Sequence, residues 1–219
     1  MLYKEWIKTR WYLLAAFAVL GGFAGYALVK LHRAAALMGA GHIWEVMVTR
    51  NAVFIDQMEY LPLLVGLLLA AVQFVPEMQR KCLKLTLHLP VPALATLTAM
   101  VGCGTAALLL LFGLCILLLA AGASPVLPHE LVWNILSTAL PWCLAGVAAY
   151  LLGAWTILEP TWKRRLVNIL MSVLLLRIYF LAPGPRAYGG FLPVLALLTL
   201  ASAVLSWLSV VRFMAGRQD

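Results

Sequence analysis

Residues 93–121 read ALATLTAMVGCGTAALLLLFGLCILLLAA, without one Asp, Glu, Lys or Arg. A hydrocarbon core about 30 Å thick is crossed by about 20 residues of helix, so this stretch can span a bilayer with room to tilt. The charge-free run around it extends from Leu85 to His129, too long for one span. Two helices in a hairpin would need a polar turn near the middle, where only Gly113 and Cys115 interrupt the leucines. The expectation is one long, tilted helix ending at the turn Gly122-Ala123-Ser124-Pro125.

Working outward, similar runs cover Trp11 to Val29, Tyr60 to Pro76, Leu131 to Leu158, Leu166 to Ala182 and Ala187 to Val211. Pro141 lies inside the fourth span, and Arg177 interrupts the fifth near its end. We therefore expect an all-α integral membrane protein with one transmembrane domain over 1–219. Its six spans should lie near 11–31, 59–76, 93–121, 131–158, 166–182 and 190–212. Composition supports this. Hydrophobic residues make up 64% and charged residues 11%, against about 45–50% and about 25% in ordinary soluble domains. A soluble fold of 219 residues cannot bury that much apolar surface. Disorder, collagen and disulfide scaffolds are excluded by the same counts.

The chain carries 16 Lys and Arg against 8 Asp and Glu, a formal charge of +8. In a soluble protein this would suggest nucleic acid; here it sets orientation, since basic residues collect in cytoplasmic loops. Six spans put both termini on one side. With that side cytoplasmic, Lys4, Lys8, Arg10, Arg80, Lys81, Lys84, Lys163, Arg164, Arg165, Arg212 and Arg217 fall inside. Lys30, Arg33, Arg50, Arg177 and Arg186 fall outside. The excess points to cytoplasmic termini and to no nucleic-acid partner. The first apolar run lacks an A-x-A cleavage site and is expected to stay as a helix. The loop over about 30–57 then faces out, with a short surface helix expected near 41–50.

Catalytic constellations are missing from the pattern. Ser172, Ser202, Ser206 and Ser209 have no Gly-x-Ser context, and His32, His42, His88 and His129 all sit in loops or at span ends. No His-Glu-x-x-His is present to hold zinc. Gly21, Gly22 and Gly25 are not followed by the Lys-Ser/Thr of a phosphate-binding loop. No CxxC pair occurs among Cys82, Cys103, Cys115 and Cys143. The expectation is a chain that is not an enzyme and holds no cofactor or metal of its own.

Two small-residue stripes, Gly21-x-x-x-Gly25 and Ala145-x-x-x-Ala149-x-x-x-Gly153, mark faces for close helix packing in lipid. Arg177 has two readings. A charge within the bilayer is costly, so the side chain either snorkels outward past the Pro-Gly-Pro turn at 183–185 or faces Glu59 or Asp56 in a polar cavity.

The segment between spans two and three reads PEMQRKCLKLTLHLP over 76–90. Proline followed by an acid suits a helix start, and Pro90 and Pro92 end it. As a helix it places Glu77, Lys81, Lys84 and His88 on one face and Leu83 and Leu87 on another. It is either a basic interfacial helix or a docking helix for a cytoplasmic partner.

Glu77, the leucines and the closing Leu89-Pro90-Val91 resemble the loop after the second span of ABC-2 type transporter permeases. The six spans, the cytoplasmic termini and an amphipathic N-terminus over Tyr3 to Lys8, like that family's elbow helix, are also similar. Only Ala182 to Gly190 is left for the re-entrant hairpin that many relatives carry between spans five and six. The resemblance implies a half-transporter of a bacterial inner membrane that pairs with a second copy or a sister permease. Two separate ABC ATPase subunits would bind ATP and Mg. Residues 77–89 would be the coupling helix, with Glu77, Arg80, Lys81 and Lys84 at the polar contact and Leu83 and Leu87 in an apolar groove. Glu159, Lys163, Arg164 and Arg165 would form a second cytoplasmic contact. Alternatives are a membrane assembly or scaffold subunit without transport, a membrane enzyme or carrier of another type, and a subunit similar to the haem-export membrane component of cytochrome c maturation. Against the last, this chain has no histidine pair placed to hold a haem between spans.

Overall fold

The 93–121 run forms one helix. The structure, a computed structural model, describes residues 2–49, 54–79, 93–182 and 184–214. Within it α1 is Leu2–Thr49, α2 is Leu61–Gln79 and α3 is Ala93–Ala123. They are followed by α4 (His129–Leu158), α5 (Trp162–Arg177) and α6 (Leu192–Met214). Short 3-10 turns at Asp56–Met58 and Ile178–Phe180 precede α2 and extend α5. No strand occurs among the described residues.

Local chemistry sets the ends. Ser124 Oγ turns back to the carbonyl of Ala120 at 2.6 Å, and Pro125 cannot continue the helix. Pro128 precedes α4, and its carbonyl takes the amides of Leu131 and Val132. At the far end Glu159 precedes Pro160, is pushed out of helical conformation, and adopts φ −70°, ψ 123°. In α1 only Gly39 breaks the helix, at φ 78°, a left-handed geometry that glycine adopts without steric cost.

Three boundaries differ from expectation. Helix α1 does not end near residue 31 but runs on through most of the expected 30–57 loop to Thr49, so the short helix expected near 41–50 is the part of α1 beyond the break at Gly39. The N-terminal segment over Tyr3 to Lys8 is no separate elbow but the first turns of α1, because nothing between Leu2 and Gly39 interrupts helical geometry. The boundary placed at Pro76 falls beyond it, since α2 carries through to Gln79. Proline removes one amide but leaves the rest of the last turn intact. Residues 80–92, which hold most of the expected coupling helix, lie outside the described residues.

Among the described residues five helical stretches are long and apolar enough to cross a membrane: Tyr3–Gly39, Asp56–Gln79, Ala95–Ala123, His129–Leu158 and Leu192–Arg212. That is compatible with a multi-pass membrane protein. Large apolar side chains such as Leu110, Leu117, Leu170 and Leu200 point outward, a surface that hydrocarbon covers at no cost and water would not.

Helix α4 is the most enclosed of these, packed by α2, α3, α5 and α6. It reaches α2 through bare backbone. A Cβ added at Gly66 would lie 1.9 Å from the Gly146 carbonyl, and one at Gly153 would lie 2.9 Å from Ala70 Cβ. Ala145 and Ala149 sit on another face, in a cluster with Leu152, Leu176, Tyr179 and Leu195. The second small-residue stripe thus packs within the chain, divided between two neighbours. The first does not: a Cβ at Gly21 or Gly25 would meet nothing within 4 Å.

Gly66→Ala should therefore lower the thermal midpoint in detergent, with overpacking costing about 1–3 kcal/mol. Gly21→Ala should leave it unchanged or slightly higher. A differential scanning measurement on the two variants separates these outcomes.

Candidate functional site

One end of the bundle collects the N-terminus of α1, the C-termini of α2, α4 and α6, and the N-terminus of α5. Polar groups concentrate there in two clusters.

The first is built around Gln73, fully buried on α2. Its Nε2 donates to Glu5 Oε2 on α1 at 2.9 Å and to the Met100 carbonyl on α3 at 2.8 Å. Its Oε1 accepts from the hydroxyl of Tyr150 on α4 at 2.8 Å. One amide on α2 thereby bonds to three other helices. Gly104 permits this approach, since a Cβ there would lie 2.1 Å from the Tyr150 hydroxyl and 2.7 Å from Gln73 Oε1. One turn further along α2, Glu77 is 2% exposed and pairs with Lys4 Nζ at 2.9 Å and with Lys8 Nζ. Lys8 also reaches Glu5 at 3.2 Å, and Thr9 Oγ1 donates to the Glu5 carbonyl. Two buried carboxylates thus share two lysines, as buried charges require.

The second cluster closes the α4–α5 corner. Glu159 is fully buried. It accepts from Thr161 Oγ1 at 3.0 Å and Ser209 Oγ at 2.6 Å, and it pairs with Arg212 at 3.4 Å. Arg165 turns back to the Glu159 carbonyl at 2.8 Å, so it serves the last carbonyls of α4. Its guanidinium also sits 5.9 Å from the Trp162 ring centroid. Ser206 Oγ donates to the Leu151 carbonyl on α4, continuing the polar seam with α6. The serines of α6 that lack a catalytic context are thus packing groups.

The two clusters are neighbours. Val75, Met78 and Gln79 of α2 line one cavity of about 260 Å³ with Thr156, Ile157, Arg165 and Ile169.

Of the residues singled out in the sequence, Glu77 and Glu159 point inward and are neutralised inside the chain. Lys163 and Arg164 are exposed beside Arg165. Arg80, Lys81, Leu83, Lys84 and Leu87 lie outside the described residues. Lys4, Glu5, Lys8, Gln73, Tyr150 and Gly104 escaped the sequence reading as a site. The one signal for Gln73 is that it is a polar residue in an otherwise apolar run.

At the opposite end Arg177 is exposed and makes no ion pair within 4 Å among the described residues, so it does not face Glu59. A cavity at that end, about 240 Å³, is instead lined by Asp56, Glu59, Trp142, Tyr179, Arg186 and Tyr188, among others. Arg186 adopts a left-handed φ of 56° and donates its amide to Thr138 Oγ1 at 3.1 Å. Tyr188 ties the turn by donating to the Ile178 carbonyl and accepting from the Ala182 amide. Among the described residues no group of three metal-ligating side chains occurs.

The chain matches no protein-family model, and no curated protein and no solved structure is significantly similar to it.

Tyr150→Phe leaves Gln73 Oε1 without its donor in a dry site and should cost about 1 kcal/mol. Gln73→Leu removes the bonds to all three other helices, strands Glu5 Oε2, and should cost more. Thermal midpoints in detergent rank the two; equal midpoints for wild type and Gln73→Leu would contradict the tie.

Proposed function

We propose that the chain is the six-span transmembrane subunit of an ATP-driven ABC exporter in a bacterial inner membrane. It works as a dimer with a second copy or a sister permease and with separate ATPase subunits that bind ATP and Mg. Both termini lie in the cytoplasm. The observation that carries the reading is the adjacency of Gln79 and Arg165 around one cavity. The described starts of the two segments expected to meet the ATPase, 77–89 and 159–165, thus lie side by side, at the end of the bundle that holds the first turns of α1 and the last turns of α6.

The buried pairs give that end a mechanical role. Glu77 is held by Lys4 and Lys8, so the coupling segment starts from a point joined to α1. Glu159 is held by Ser209 and Arg212, which joins the α4–α5 corner to α6. A push on either segment is delivered to packed helices rather than absorbed in a loose loop. In this mechanism Glu77 and Glu159 anchor the contact segments from within, and the outward basic residues Lys163 and Arg164 remain for the partner. Arg80, Lys81, Leu83, Lys84 and Leu87 would form the main contact.

Helix α5 supports the sixth crossing. With its 3-10 extension it runs from Trp162 to Phe180, about 28 Å at helical rise, close to the hydrocarbon thickness. Lys4, Lys8, Arg10, Lys163, Arg164, Arg165 and Arg212 share one end, in keeping with the positive-inside rule.

Leu83→Asp and Lys84→Asp should each reduce ATPase co-purification about tenfold, the equivalent of about 1.4 kcal/mol at one contact residue. The thermal midpoint should not change. A double Lys163→Asp, Arg164→Asp variant should show a smaller loss. A wild-type complex that holds no ATPase would sink the transporter reading and favour an assembly subunit.

A further inference from the structure

We propose that the groove between α1 and α3 seats an anionic phospholipid, with its headgroup phosphate on Arg10 and an acyl chain along the groove floor. The inference rests on the reading above only for orientation, which places this end of α1 in the cytoplasmic leaflet, where anionic lipids attract basic residues near the surface.

The groove has a volume of about 1010 Å³, and its lining is almost wholly apolar. Leu13, Leu14 and Phe17 of α1 form one wall, and Leu110, Leu111 and Leu114 of α3 form the other. Cys103, Ala106 and Ala107 keep the floor low. Tyr3, Trp6 and Trp11 stand at the mouth, more than half exposed. Such aromatics sit at headgroup level with their apolar bodies toward the chains.

Charge selects the occupant. Of the three cations in the first three turns of α1, Lys4 and Lys8 are bound to Glu77, and Lys8 also to Glu5. Arg10 is exposed, lines the groove mouth, and makes no ion pair within 4 Å among the described residues. Its guanidinium lies 5.5 Å from the Trp11 ring centroid, a contact that steadies the fork over the groove. A planar guanidinium suits a phosphate oxygen pair. A free anion would find no use for the apolar floor, and an uncharged or zwitterionic lipid would leave the cation without net compensation. A lipid with net negative charge satisfies both parts.

The test is native mass spectrometry of the full-length protein after reconstitution in equal parts phosphatidylglycerol and phosphatidylcholine, followed by delipidation in detergent. Wild type should retain phosphatidylglycerol selectively. Arg10→Gln should reduce that retention roughly fivefold, the equivalent of the about 1 kcal/mol that one basic residue contributes near an anionic surface. Ala106→Phe, which fills the floor without touching a charge, should remove the lipid outright. The exposed pair Lys163→Gln, Arg164→Gln should change nothing. Equal retention of the two lipids by wild type, or unchanged retention in Arg10→Gln, would overturn the site. So would a protein dimer that Ala106→Phe dissociates while bound lipid is unaffected, because a second copy would then occupy the groove. Retention of the lipid by a preparation free of ATPase would count against the transporter reading alone.

Discussion

Gln73 has three polar positions on its side chain, two amide hydrogens and a carbonyl oxygen, and each is spent on a different helix. Glu5 of α1, the Met100 carbonyl of α3 and Tyr150 of α4 all meet the amide within 2.9 Å. In an apolar bundle almost any apolar surface packs on any other, because lipid is as apolar as leucine. Directional bonds are what distinguish one register from its neighbours. A slip of one turn in any of the four helices would leave a buried amide, hydroxyl or carboxylate without a partner, at a cost hydrocarbon does nothing to relieve.

Three bare positions make that arrangement possible. Gly104 leaves room for the Tyr150 hydroxyl, and Gly66 with Gly146 brings the α2 and α4 backbones into direct approach. Once α2 and α4 are joined at this distance, the rest of α4 is fixed between α3, α5 and α6. The α4–α5 corner then falls beside the end of α2. The proximity of the end of α2 to the start of α5 is therefore a consequence of glycine packing some turns away. At the same end Glu77 ties α2 to α1, and Glu159 ties the α4–α5 corner to α6.

Much of the architecture was legible. The charge-free runs located the helices because a bilayer demands long apolar segments, and that demand leaves a trace in composition alone. The 93–121 run was read as one helix rather than a hairpin, and it is one. Pro76 misled because a helix tolerates proline when only one amide is lost near its end. The N-terminal six residues misled because amphipathicity reports which faces are polar, not whether the chain bends. Glu77 was read as an outward contact, and the fold turns it inward. No local pattern announces that Lys4 and Lys8, about seventy residues away in sequence, will meet it.

By itself the sequence determined the helical class, the position of the apolar stretches and the end on which the basic residues collect. These are sums over local segments, and solvent chemistry decides each without reference to the others. Only the tertiary structure decided which polar residues are consumed inside the chain and which are left over. Lys8 and Arg10 look alike in the sequence, two residues apart on one helix. One is paired with two buried acids, and the other stands free at the mouth of an apolar groove. The physical reason is that a buried charge takes its partner from across the bundle, and that distance exists only after the helices have packed.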